Sequence, residues 1–354
     1  MIAIKQRNYF LDAARGIAML SIIYIHTVFF SGKSYVPDIL RHMSLIIDVP
    51  LFFFLAGWGF AYSKSFMKTV KNDLRIHLQY SYYILVVALI MLIFGSSELS
   101  WDHVGHWLVY SKTNIDVLTS TVTSSWFLKV FMPVTIVGGL MITKLKRNAI
   151  YTALAIIPFL WLHAFYNPTA FLGDQTFWFY LLLYMLGYLS KDIKIKKFGV
   201  FLLLGIAVLA ILGIIKYVFL LPIFNLQDHK FPPNVVYLLW SSLSILAVLY
   251  FKQFNWFKAK SALVKLGQNA IWLFLAQGIS SSILYYLVDT FNMHWLPKLA
   301  ILFAINVVLA IIIAIALKLS FRGISWVLKR LYLRIKPKVQ EDTPPPAELE
   351  STGS

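Results

Sequence analysis

Residues 10–30 read FLDAARGIAMLSIIYIHTVFF, a run of 21 residues whose only acidic, basic or histidine side chains are Asp12, Arg15 and His26. A helix of about 20 residues rises ~30 Å, which matches the hydrocarbon thickness of a bilayer. Lys5 and Arg7 precede the run, as in a signal peptide. No small-residue cleavage site follows it, however, and the run is longer than a signal-peptide core. It is expected to be a retained first transmembrane helix.

The rest of the chain repeats this reading. Apolar stretches occur at Ile39–Tyr62, Ile76–Phe94, Trp126–Ile142, Ala149–Phe165, Phe177–Leu189, Gly199–Leu221, Val235–Phe251, Ala270–Leu287 and Leu299–Leu319. With the first run they predict an all-α, polytopic integral membrane protein of about ten transmembrane helices. Composition agrees: only 13% of the 354 residues are charged, about half of what a water-facing surface needs.

The formal net charge of +17 would suit nucleic acid if it lay along one face. Instead the cations cluster in alternate loops, at Lys64 to Arg75, Lys144 to Arg147, Lys191 to Lys197, Lys252 to Lys265 and Lys318 to Lys338. The loops between hold scattered cations such as Lys33, Lys112, Lys230 and Lys298. That alternation is topogenic charge, so a multi-pass protein of the cell membrane with both termini cytoplasmic and no nucleic-acid partner is expected.

Residues 1–338 are taken as one membrane domain, and the Pro- and acid-rich residues 339–354 as a disordered cytoplasmic tail. There is no cysteine, which excludes disulfides, thiolate metal sites and a thiol nucleophile. The long connection after Phe94 carries Trp101, His103, His106 and Trp107, which fit a short interfacial helix better than a metal site. No metal motif, phosphate-binding glycine loop or nucleophile elbow is present.

Ionisable groups inside a membrane are costly and tend to face a bundle interior or an aqueous cavity. Arg15 and His26 are 11 residues apart, so they share one helix face, separated by ~16 Å of rise. Asp12, one turn before Arg15, can pair with it. Two readings stand for each. Asp12 and Arg15 form an interfacial pair with Arg15 snorkelling, or they belong to a site. His26 bonds a neighbouring helix, or it serves as a general base toward a hydroxyl. Asp48, near mid-depth of the second run, needs a partner, and Arg41 or His42 would serve. Arg75 and His77 stand where the third run begins.

These residues resemble a known family. Tyr9-Phe10-Leu11-Asp12-Ala13-Ala14-Arg15-Gly16-Ile17-Ala18, followed by His26, is similar to the opening helix of the membrane-bound acyltransferase type 3 family, which acylates cell-surface carbohydrates. Pro50-Leu51-Phe52-Phe53-Phe54-Leu55-Ala56-Gly57, Ser125-Trp126-Phe127-Leu128 and Leu266-Gly267-Gln268-Asn269-Ala270 resemble its later elements. The chain departs from the family pattern at Ala56, where a serine is usual, and at Gln277, where a histidine is usual. At Asp73-Leu74-Arg75 only Arg75 of an arginine pair is kept.

The resemblance implies an O-acyltransferase with no bound cofactor, using acyl-CoA, acetyl-CoA foremost, as donor substrate. The acceptor would be a hydroxyl of a cell-surface polysaccharide or a lipid-linked glycan. It also implies catalytic roles for His26 and Arg15 and substrate-binding roles for Asp12, Asp48, Arg75, Trp126 and Gln277. Arg15 and Arg75 would hold donor phosphates, and Asp48 or Gln277 would orient the imidazole or polarise a carbonyl. The rival reading is a transporter or flippase of a glycan or lipid-linked precursor, since polar groups in spans also mark transport pathways. A membrane sensor with basic cytoplasmic loops is the third reading.

Overall fold

The computed structural model describes residues 7–30, 35–63, 65–94, 99–109, 118, 120–121, 124–166, 175–254 and 256–335. The proposed tail therefore lies outside the described residues. Among the described residues fourteen α-helices follow one another: α1 Tyr9–Phe30, α2 Asp38–Met43, α3 Val49–Ser63, α4 Phe66–Ile93, α5 Trp101–Leu108, α6 Trp126–Leu145 and α7 Ala149–Tyr166, then α8 Gln175–Leu189, α9 Phe198–Val218, α10 Leu226–Lys230, α11 Val235–Phe251, α12 Ala262–Gln268, α13 Ala270–Leu287 and α14 Trp295–Ile335. The protein is all-α.

Each of the ten apolar runs is largely helical, but not all are spans by length. Seven segments among the described residues are long and apolar enough to cross a membrane: Tyr9–Phe29, Asp38–Ser63, Phe66–Ile93, Trp126–Leu145, Phe198–Val218, Ala270–Thr290 and Trp295–Tyr332. Ala149–Pro158 and Val235–Phe251 are shorter apolar helices, and α8 has only 15 residues. Seven is thus the number of segments that reach a span's length and apolarity on their own, not a count of crossings, and the number ten stays an expectation.

The second run is not one helix. α2 ends at Met43, a single 3₁₀ turn covers Ser44–Ile46, and α3 starts only at Val49. Pro50, in the first turn of α3, needs no amide partner there and has its φ set for a helix. The break leaves Asp48 just before α3, where the positive end of the helix dipole favours a carboxylate. Non-helical backbone at membrane depth persists only where protein or an aqueous cavity satisfies it. Here Ser21 Oγ donates to the Ile47 carbonyl, and Asp48 lines a cavity.

α1 lies at the centre, packed on α3, α12, α13 and α14, while α3 packs on α6, α8 and α11. Two crossings are so close that only glycine fits. A Cβ on Gly57 would fall on the Tyr184 carbonyl, and one on Gly187 would fall on the Phe54 carbonyl. Likewise Gly16 abuts the Leu263 carbonyl, and Gly267 abuts the Asp12 carbonyl. Small residues permit such backbone approach between membrane helices. The periphery is built differently: α9 packs on α11 and exposes Leu203, Ile206 and Ile214, as a lipid-facing helix should.

α5 is the short helix expected of the long connection. Val104 and Trp107 are buried, and the Trp107 carbonyl accepts a 2.8 Å hydrogen bond from the Tyr80 hydroxyl. His106 faces Asp102 at 3.5 Å. α14 has 41 residues, a rise of ~61 Å. Its far part leaves Ile324, Trp326, Leu328 and Leu331 exposed.

Candidate active site

A small cavity of about 90 Å³ opens within the bundle, lined by His26, Asp48, Trp126, Ser124, Gln227, Lys230, Phe231 and several apolar side chains. α1 supplies Ile22, His26 and Phe29, the α2–α3 break supplies Asp48, the start of α6 supplies Trp126 and Phe127, and α13 supplies Phe274. Three residues named from the sequence, His26, Asp48 and Trp126, therefore meet although far apart in the chain.

His26 is buried, and its aim follows from its neighbours. Thr27, one position on and ~100° round the helix, accepts a 2.9 Å hydrogen bond from Asn306 Nδ2. Asn306 also receives the Ser280 hydroxyl at 2.6 Å and donates to Ser281 Oγ at 3.2 Å. This fully buried hub ties α1, α13 and α14 together. With α1 anchored there, the neighbouring His26 lines the cavity. Nothing in the sequence singles out Asn306.

Asp48 is almost fully buried, and its partner differs from the expectation. Lys230 Nζ lies 2.6 Å from Oδ2, and the Tyr237 hydroxyl donates to the same oxygen at 2.7 Å. Arg41 instead pairs with Asp38 at 3.2 Å and lies over the Phe29 ring at 5.0 Å. The correction has a plain cause: the helix break puts Arg41 and Asp48 on separate segments, so neither Arg41 nor His42 is carried to Asp48 by helical periodicity. Lys230, read from the sequence as a scattered loop cation, closes α10 and is buried. Its ammonium sits over the rings of Trp126 at 5.6 Å and Phe231 at 5.3 Å. Both Lys230 and Asp48 exert their charge on His26.

Gln277 follows Phe274 by one turn of α13 and is fully buried. Both polar atoms of its amide are buried without a hydrogen-bond partner. A buried amide left unpaired costs on the order of 1–3 kcal/mol, so the position is not explained by packing alone.

Arg15 and Asp12 form a second group at the other end of α1. The expected ion pair is present but long, 3.7 Å between Arg15 Nη1 and Asp12 Oδ1. Asp12 is held more tightly by Arg7 Nε at 2.6 Å and accepts Gln268 Nε2 at 3.3 Å. It is buried among these partners, away from the cavity. Arg15 is half-buried, and its guanidinium occupies the space over Gly59, where a Cβ would come within 2.7 Å of Nη2. Arg75 is exposed on α4, and among the described residues no ion pair or hydrogen bond joins it to Arg15. Asp73, two residues before Arg75, is buried and accepts the Thr135 hydroxyl at 2.8 Å.

Near α3, Lys252 Nζ donates to the carbonyls of Ser190 and Lys191 at 3.0 and 3.1 Å and lies 4.8 Å over the Trp58 ring. Burial pushes its pKa down to about 8, helped by the charge of Lys194 and opposed by Asp192.

No curated protein and no solved structure matches the chain. A family model, described as acyltransferase domain, matches residues 8–317. That match runs from the start of α1 to Leu317 in α14 and takes in the residues of both groups described above except Arg7. The chain therefore belongs to the type 3 acyltransferase domain family, and it is a membrane protein.

Proposed function

We propose that the chain is a membrane-embedded O-acyltransferase that moves a short acyl group, acetyl foremost, from cytoplasmic acyl-CoA to a hydroxyl of a cell-surface polysaccharide or other glycan. The observation that carries this reading is the arrangement on α1. His26 sits in a cavity with Trp126 and an Asp48–Lys230 pair, while Arg15 stands on the same helix face ~16 Å away.

In this reading both termini are cytoplasmic, and Arg15 lies on the donor side. Its guanidinium, only loosely engaged by Asp12, is available to a donor phosphate as a charge-assisted pair. Arg75, exposed on α4, is the second cation assigned to the donor's phosphates in this reading. The pantetheine arm of CoA is extended and thin enough to reach from such a site toward the cavity.

His26 removes the proton from the acceptor hydroxyl as the oxygen attacks the thioester carbonyl. A C–O bond forms and the C–S bond breaks. The imidazolium then returns its proton to the departing thiolate, so the CoA thiol and an ester leave. In this reading Gln277, one turn beyond the cavity-lining Phe274, would use its unpaired amide donor to stabilise the carbonyl oxygen as it gains charge.

The test is labelled acetyl-CoA supplied to membranes holding the full chain. His26→Ala should insert normally and leave no label on carbohydrate, and full labelling would overturn the mechanism. Arg15→Ala should raise the KM for donor first, so an unchanged KM and kcat would remove its role. The transporter reading draws on the broken second span beside the cavity, a feature shared with transport proteins. It predicts movement of a glycan precursor with no label attached.

A further inference from the structure

We infer that the cavity selects an acceptor bearing two neighbouring hydroxyls, one presented to His26 and the other clamped between Asp48 Oδ1 and Lys230 Nζ. This deepens the acyltransferase reading and rests on it for the acceptor's fate, though not for its binding.

The argument starts from incomplete satisfaction. The side chains of Asp48 and Lys230 are 1% and 8% exposed, and taking two charges out of water is repaid only when their remaining polar atoms are also paired. Here they are not. Asp48 Oδ2 takes both Lys230 and Tyr237, while Oδ1 is buried with no donor. A lysine ammonium has three donors, and Asp48 is the one acceptor Lys230 has among the described residues. The Tyr180 hydroxyl, close enough for the charge of Asp48 to act on it, is also buried without a partner. A spare acceptor on Asp48 thus stands beside spare donors on Lys230, and both residues line the cavity.

Charge and shape narrow the occupant. The pair sums to zero, so a phosphate or carboxylate that Lys230 would attract is opposed by Asp48. A neutral group that both donates and accepts suits it, which is the description of a hydroxyl. Trp126 and Phe231 meet edge to face with centroids 5.0 Å apart and give apolar ring surface beside the clamp. A hydroxylated aliphatic ring fits this combination: its C–H face lies on aromatic surface, one hydroxyl enters the Asp48–Lys230 clamp and its neighbour faces His26.

The experiment uses the purified full chain in detergent, acetyl-CoA and a panel of methyl pyranosides. For each glycoside that gains an ester, the position is mapped by NMR and the analogue deoxygenated at the adjacent carbon is compared. The wild type should lose about 100-fold or more in kcat/KM on that deletion, because a site built around a hydroxyl is left with unpaired buried groups. In Lys230→Met and Asp48→Asn the two acceptors should differ by less than about 3-fold. The wild-type comparison stands even if a variant fails to fold.

Equal transfer to both acceptors by the wild type overturns the clamp and leaves acyl transfer intact. Thermal stabilisation by the same glycosides, read without acetyl-CoA, separates the other failure. Stabilisation that needs the adjacent hydroxyl, with no ester formed on any acceptor, supports the clamp and defeats the acyltransferase reading. No ester together with no hydroxyl-dependent stabilisation overturns the clamp and leaves those polar atoms to water alone.

Discussion

Asp48 and Lys230 form a buried ion pair, 2.6 Å between Oδ2 and Nζ, that joins the break in the second span to the end of a five-residue helix near the cavity. The pair ties two distant parts of the chain together and also brings its unpaired polar atoms to the cavity wall.

Removing one partner should cost more than removing both. Lys230→Met or Asp48→Asn alone leaves a group buried without its counterpart, a loss of about 3–5 kcal/mol. The double variant should recover most of that loss, because a pair of neutral side chains leaves no buried charge without its counterpart. Thermal unfolding in detergent checks this, and a double variant as weak as the sum of the singles would contradict it.

Glycine positions should separate sharply by location. Gly187→Ala must push the Phe54 carbonyl away, and overpacking of this kind costs about 1–3 kcal/mol or more. Gly205→Ala, on α9 with nothing near its Cβ, should be neutral or gain up to ~1 kcal/mol of helix propensity. Expression and melting temperature of the two variants measure the contrast.

Gln277→Leu should keep the fold while losing activity. The amide has no partner to lose, so an apolar side chain of similar size is neutral or stabilising. If the amide stabilises the carbonyl oxygen, the rate should fall by about 10²–10³. A variant that melts early and retains its rate per folded molecule would assign Gln277 to packing.

Lys252 predicts a pH dependence with a definite sign. Its folded pKa of about 8 lies below the ordinary 10.5, so between those values the unfolded chain binds more protons and stability rises with pH. Below about 8 the ammonium is charged in both states and the burial penalty is fully present. Wild type should therefore gain on Lys252→Met as the pH is raised above 8. A constant difference between their melting temperatures across that range would refute the assignment.

Much of α1 could be read in advance, because helical geometry is local. The period of 3.6 residues puts Arg15 and His26 on one face wherever the helix goes, and Asp12 within one turn of Arg15. The same local logic failed at Asp48. It pointed to Arg41 and His42 on the assumption of one continuous helix, and the 3₁₀ turn at Ser44–Ile46 breaks that assumption. Lys230 was hidden for a different reason: a lysine in a loop of an outward-facing pattern looks solvated, and its partner comes from a distant part of the chain. Asn306 is one asparagine in an apolar helix until Thr27 and Ser280 are placed against it.

The sequence by itself determined that the chain is helical, that it belongs in a membrane, and that α1 carries an arginine and a histidine along one face. Those properties follow from hydropathy and from the repeat of a single helix, which nearby residues set. Only the tertiary structure decided which carboxylate meets which cation, how α1 is rotated and what surrounds His26. Pairing across a bundle depends on which helices touch and at what height, through glycine crossings and buried polar hubs that leave no periodic trace. The first helix thus announces its own polar face, and the fold decides that the His26 end opens on the Asp48–Lys230 pair.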